Sequence, residues 1–291
     1  MPSISGDTKI FGLLGQGTSF TLSPAMHNHA AKVLQQDAVY LNFDIPADQV
    51  KPFLEVFWHL GAIGLNVTMP HKNLVASLVE TDGLPSVNTL VRTEKGWKGY
   101  STDGDGFLEG LSRANVSITE FDAVVVLGSG GSCQSILRAI SLATTQKPLV
   151  TIIHRRSRSN DSKILEAISK AQVQLVTLRE MSPSAFSDTL ANLSGLRKLV
   201  IQVTSAPKLG DSLAAYTPAV KNLSAGDLLV DIIYDHPSEI YFEAIRQNIN
   251  CLDGMPMLIE QARLSQFLWW KKAASYNDLI IAVKNSGWRS R

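Results

Sequence analysis

A chain of 291 residues is longer than one typical domain and suits two, and 45% hydrophobic against 18% charged residues is the balance of a globular protein with a sizeable core. A formal net charge of +1 argues against recognition of nucleic acid or a membrane by bulk charge, so any cationic site has to be local. Cys133 and Cys251 are too few for a disulfide framework and suit a reducing, cytoplasmic compartment; residues 1–9 lack the apolar core of a signal peptide, and no run approaches the roughly 18 apolar residues of a spanning helix.

Residues 9–14 (KIFGLL) predict a short strand that ends in the turn of residues 15–18. Ser23 and Pro24 supply a capping hydroxyl and a first-turn proline for a helix over 25–35. Residues 38–45 alternate as a second strand, 53–60 read as a helix ended by Gly61, and the apolar run from Ala62 predicts a third strand through Thr68. This βαβαβ order is the signature of a parallel sheet covered by helices. A helix near 73–78 follows, then two strands, 86–92 and 97–101, joined at Glu94, Lys95 and Gly96. Thr102 and Asp103 open a helix with Phe107, Leu108 and Leu111 on one face, and a domain boundary is expected between Thr102 and Phe121.

The second half starts afresh with a strand at 123–127, a glycine-rich loop at 128–133 (GSGGSC) and a helix over 134–142. Strands at 149–154, 174–177, 199–203 and 228–233, with a helix at 164–171, make a doubly wound nucleotide-binding domain. From Pro256 the pattern is helical, 257–270 and 276–284. No strand remains for these helices to precede, so they are expected to pack back on the first domain. The expected fold is α/β, with a βαβ substrate domain of residues 1–104 joined by 256–291 and a Rossmann-type domain of 105–255.

Residues 66–72 (NVTMPHK) bring an amide, a hydroxyl and an ammonium group to the carboxyl end of a strand, where ligands collect in open α/β sheets. If both strand ends face one cleft, Lys72 and Asp103, the latter in 101–104 (STDG), form a charge pair suited to proton transfer. Gly128 and Gly130 allow a tight turn and close backbone approach to a pyrophosphate, whose charge the N–H groups of the next helix bind; Cys133 holds the third glycine position. An NAD-binding domain carries Asp or Glu at the end of the following strand. Here 154–158 reads HRRSR, and Arg155, Arg156 and Arg158 stand in place of a carboxylate. Guanidinium groups suit a 2′-phosphate by charge and bidentate geometry, so the expected cofactor is NADP rather than NAD. The histidines at 27, 29, 59, 71, 154 and 236 are scattered, and no metal site is expected.

The motifs recur in the order of a known family. Residues 23–28 (SPAMHN), 66–72 (NVTMPHK), 87–90 (VNTL), 101–104 (STDG), 128–131 (GSGG), 231–234 (DIIY) and 254–261 (GMPMLIEQ) together resemble the shikimate dehydrogenases over nearly the full length. The resemblance implies NADPH-dependent, reversible reduction of 3-dehydroshikimate to shikimate in aromatic amino-acid biosynthesis. It implies Lys72 and Asp103 as the catalytic pair. Asn66, Thr68, Asn88 and Gln261 would hold ring hydroxyls, Thr21 and Ser23 the carboxylate, and Tyr234 would line the cleft. For the cofactor it implies Gly128, Ser129, Gly130, Gly131, Ser132, His154, Arg155, Arg156, Arg158, Thr204 and Gly254. The partner implied is a small polyhydroxy cyclohexene carboxylate, with the chain a monomer or homodimer. Thr21 stands where the family usually has serine, and Ser101 and His154 where it usually has asparagine. The alternatives are a paralogue acting on quinate or an aminated shikimate, and a nucleotide-binding regulator without catalysis.

Overall fold

Alternation along β1 (Lys9–Gly15) sets up the first sheet: Phe11 and Leu13 point to one face, Leu14 to the other, and all three are buried. A strand buried on both faces must sit inside a sheet covered on both sides. β1 does so, between β2 (Ala38–Asp44) and β3 (Gly64–Val67), with β4 (Thr89–Thr93) and β5 (Gly96–Tyr100) beyond, in the order β2-β1-β3-β4-β5. β2, β1 and β3 are parallel; β4 and β5 close the edge antiparallel. Leu54 and Phe57 of α2 (Val50–His59) cover the face of Leu14, Leu65 and Leu90. Phe11, Leu13 and Tyr40 meet Ala31 of α1 (Ser23–Val33) and the indoles of Trp269 and Trp270 on the other face. A short α3 (Lys72–Ala76) follows β3, and α4 (Asp103–Arg113) follows β5.

The computed structural model describes residues 4–155 and 176–288, except the side chain of Lys208. The chain divides into two units, the first ending at Gly106 and resuming at Ile259, the second running from Phe107 to Leu258. In the second, β6 (Ala123–Leu127) is fully buried, with Val124 and Val126 in one core cluster and Val125 and Leu127 in another. Its sheet is parallel throughout, in the order β11-β10-β9-β6-β7-β8, from β7 (Leu149–His154), β8 (Val176–Glu180), β9 (Lys198–Gln202), β10 (Leu228–Asp231) and β11 (Asn250–Leu252). This is the dinucleotide-binding strand order, with α5 (Gly131–Ala143) leaving β6. Helices α6 (Pro183–Asn192) and α7 (Glu239–Arg246) complete the unit, and α8 (Met255–Trp270) and α9 (Tyr276–Asn285) end the chain.

Several details differ from expectation. Ser23 is the first residue of α1 and not its cap: Leu22 holds that position without a side-chain bond, and the Ser23 N–H donates to Thr21 Oγ1 at 3.2 Å. α5 begins at Gly131 and not at 134, because Gly130 serves as its cap. β11, α6 and α7 are additions. β11 is three residues long, too short to show alternation. The helix expected at 164–171 lies outside the described residues.

Candidate active site

β3 ends at Val67, and the chain turns through Thr68 to Pro70 so that Lys72 opens α3 beside the carboxyl end of its strand. The β4–β5 hairpin returns Asp103 to the same end, because Thr89 pairs with Tyr100 in register. Lys72 Nζ donates to Asp103 Oδ2 at 2.5 Å, with only 16% and 6% of the two side chains exposed. The other carboxylate oxygen is also taken: Asn88 Nδ2 donates to Asp103 Oδ1 at 2.9 Å. Asn88 is itself fixed, since the Thr102 N–H donates to its Oδ1 at 2.6 Å and its Nδ2 also donates to Thr102 Oγ1 at 2.8 Å. Asp103 is thus aimed at Lys72 from behind, and a charge-assisted bond of this kind is short and strongly oriented.

Behind the pair lies a buried polar network. Asn66 Nδ2 donates to Ser265 Oγ at 2.9 Å, with Thr89 Oγ1 at 3.1 Å and the Asn88 carbonyl at 3.2 Å as further acceptors, while Tyr40 donates to Asn66 Oδ1 at 2.8 Å. Ser265 in turn donates to the Gln261 carbonyl one turn earlier in α8. Gln261 is buried, its Oε1 3.4 Å from Asn88 Nδ2. Asn66 and Asn88, to which the family resemblance gives ring hydroxyls of a ligand, spend their amide protons inside the protein here. Thr68, half-buried, lies on the loop between β3 and α3, and Thr21 Oγ1 donates to Ser23 Oγ at 3.2 Å. Tyr40, Thr89 and Ser265 carry no site role in the sequence reading, and Thr102 enters it only as a helix start. For Ser265 a signal existed, since it shares a helix face with Gln261 at i, i+4 spacing.

A cavity of about 370 Å³ lies elsewhere in the first unit, between α2 and the β4–β5 hairpin, with Leu54, Trp58 and Trp97 in its wall. None of the residues above line it, so volume alone does not locate this chemistry. Among the described residues no three His, Cys, Asp or Glu side chains gather as a metal would require.

In the second unit the strand order reverses between β6 and β9, the switch point beside which open α/β sheets bind ligands at the carboxyl ends of their strands. Gly128 has φ 111°, and a Cβ on it would press to 3.0 Å on both Thr204 Cγ2 and Val203 Cγ2. Only glycine meets both demands. A Cβ on Gly130 would meet nothing within 4 Å, so the start of α5 is open to an anion. Thr204 Oγ1 is buried beside this loop without a hydrogen-bond partner among the described residues. These features fit a dinucleotide phosphate. Ser129, Gly131 and Ser132 belong to the same loop and first helical turn, half-buried, and Arg155 is exposed just past β7. His154 is buried at 1% exposure, its Nδ1 3.2 Å from the Arg155 carbonyl. Arg156 and Arg158 lie outside the described residues.

Tyr234 sits on the loop between β10 and α7, whose two ends are tied by one carboxylate. Asp231 accepts from the Ile233 N–H at 3.0 Å and the Ser238 N–H at 2.8 Å. Burial pushes the Asp231 carboxyl up to about 6, against the opposing pull of those bonds. Gly254 packs on the same loop, because a Cβ there would overlap the Ile232 carbonyl. Its immediate role is therefore close packing.

A dinucleotide-type sheet in one unit and an oriented lysine–carboxylate pair in the other are what a nicotinamide-dependent dehydrogenase requires. A family model described as the shikimate dehydrogenase substrate binding domain matches residues 13–90. The chain is 30% identical over 302 residues to the shikimate dehydrogenase (NADP(+)) of Gloeothece citriformis, covering 98% of this chain and 99% of that one. It is 32% identical over 298 residues to the enzyme of the same name from Thermosynechococcus vestitus, covering 98% of each. The crystal structure of shikimate 5-dehydrogenase from Listeria monocytogenes, in complex with shikimate and NAD, has the same fold, with a TM-score of 0.83 at 23% identity over 97% of this chain and 99% of that one. The chain belongs to the shikimate dehydrogenase family.

Proposed function

We propose that the protein catalyses the reversible, NADPH-dependent reduction of 3-dehydroshikimate to shikimate, a step of aromatic amino-acid biosynthesis. The observation that carries this is the Lys72–Asp103 pair at 2.5 Å, held by Asn88 at the strand ends of a chain of this family. Bound NADPH supplies the hydride for the carbonyl carbon. Lys72, as ammonium, polarises the carbonyl oxygen and delivers one proton to it, so that C=O becomes CH–OH. Asp103 orients the ammonium and offsets its charge. In the oxidative direction the neutral lysine takes that proton back.

A small polyol acid needs many hydrogen-bonding groups and little apolar wall. Thr21 and Ser23 would receive its carboxylate, Thr68 and Gln261 its ring hydroxyls, and Asn66 and Asn88 would act through the oxygen lone pairs their internal bonds leave. Tyr234 would line the ligand from its own loop. The groups that would hold the cofactor are the loop Gly128 to Ser132, Thr204 and Arg155, with Arg155 on the 2′-phosphate. The setting we propose is the reducing cytoplasm: both cysteines are free, and burial pushes the Cys133 thiol up to about 12, which keeps it inert.

The test is steady-state turnover followed by NADPH absorbance, with shikimate and quinate each offered NADP and NAD. Turnover of shikimate with NADP is expected. Turnover confined to quinate with NAD would overturn both the substrate and the cofactor.

A further inference from the structure

We infer that His27 and Asn28 of α1 are positioning residues for the proposed reaction, holding the Tyr40 hydroxyl against Asn66 and so deciding which way the Asn66 amide faces. β2 is the edge strand of its sheet, so its outward backbone groups have no neighbouring strand to bond. At Tyr40 the Asn28 amide takes that place: Nδ2 donates to the Tyr40 carbonyl at 2.9 Å, and the Tyr40 N–H donates to Oδ1 at 2.8 Å. The Tyr40 ring then lies nearly parallel to His27, with centroids 4.4 Å apart and planes 15° from coincidence, and Trp269 packs against both. With backbone and ring fixed, the hydroxyl is delivered to Asn66 Oδ1 at 2.8 Å. An Asn amide can be turned either way unless its neighbours discriminate oxygen from nitrogen. Here Tyr40 marks the oxygen end and Ser265 the nitrogen end.

The His27 ring is fully buried, so its face stays seated on Tyr40. Burial keeps the imidazole neutral, its pKa pushed down to about 3 against a smaller opposing pull from the Asn66 side chain. Ser23 shares the helix face of His27 at i, i+4 spacing, and its side chain bonds the Tyr40 hydroxyl, opposing the rise in pKa that burial causes there. One helix thus presents a hydroxyl, a flat neutral ring and an amide to a single tyrosine.

The inference rests on the proposed function, because it takes Ser23 and Asn66 to lie on the substrate side of the site. The experiment is a double-mutant cycle of His27→Leu and Tyr40→Phe with His27→Phe as the conservative variant, read as kcat and KM. It is run with whichever of shikimate and quinate the unaltered protein turns over, so failure of the proposed substrate leaves this test standing. His27→Leu is expected to raise substrate KM roughly tenfold, with kcat changed less than about threefold and KM for the nicotinamide cofactor unchanged. His27→Phe, which keeps the ring face and loses only the edge, recovers most of that rise. Adding His27→Leu to Tyr40→Phe raises KM no further. Additive effects in the double variant, or equal rises in KM for substrate and cofactor, overturn the inference. Should His27→Leu fail to fold, Asn28→Asp removes the donor to the Tyr40 carbonyl and enters the same cycle with the same two outcomes.

Discussion

At the carboxyl ends of the first unit's strands the groups proposed to do the chemistry are side chains, and each is held by another side chain: Lys72 by Asp103, Asp103 by Asn88, Asn88 by Thr102. At the carboxyl end of β6 in the second unit the groups proposed to bind are peptide N–H groups, and their approach depends on the lack of side chains at Gly128 and Gly130. The contrast follows from the ligands. A phosphate is read by charge and close approach, which backbone supplies, whereas a reacting carbonyl needs one proton at one place, which only an oriented side chain supplies. The first site should therefore fail in its chemistry when mutated, and the second in its fit or its fold.

The largest effect belongs to the chemistry. Lys72→Ala should lower kcat by roughly 10²–10⁴-fold with a smaller change in KM. Turnover within a few-fold of the unaltered protein would remove Lys72 from the role given to it. Next comes a loss of fold in the second unit. Gly254→Ala must displace the Ile232 backbone, and a destabilisation of about 3 kcal/mol is expected in denaturant unfolding; an unchanged midpoint with unchanged m would mean the approach relaxes freely.

The third effect is a pH dependence confined to the second unit. Asp231 has a folded pKa of about 6, above its ordinary value of 3.8, so the folded chain takes up the proton first. Ionised Asp231 therefore weakens the fold above pH 6, by about 2–3 kcal/mol, and that penalty disappears as the pH falls from 7 towards 4. Relative to Asp231→Asn, the unaltered protein should gain stability over that range, read from thermal unfolding in steps of pH. Parallel curves for the two proteins would refute it. Smallest is the cofactor effect: Arg155→Ala should weaken NADP binding about tenfold and NAD binding little, and equal losses would show that Arg155 does not read the 2′-phosphate.

The two units were also unequally legible. Runs such as AVVVL and the largely apolar LVTIIH announce strands buried on both faces, and the glycine loop between β6 and α5 is a local feature, so most of the second unit could be laid out in chain order. What escaped were α6, α7 and β11, the last too short to carry a period, and the ties across the 232–238 loop, because Asp231 bonds backbone N–H groups whose positions only the folded loop sets and Gly254 meets Ile232 from far along the chain. In the first unit Lys72 and Asp103 stood out as charged groups at strand ends. The polar network behind them did not, since Thr89, Thr102 and Ser265 look like ordinary polar residues until the sheet and α8 bury them together.

The sequence by itself determined the α/β alternation, the two-part division, the glycine loop, the basic strand end suited to NADP and the identity of the charged pair. All of these are local, set by periodicity, turn chemistry and residue type within a few positions. Only the tertiary structure decided that Asn66 and Asn88 are committed to internal partners, that Thr21 and not Ser23 satisfies the first N–H of α1, and that α1 holds Tyr40 through His27 and Asn28. A hydrogen bond depends on distance and direction between groups far apart in the chain, and folding alone brings those groups within reach.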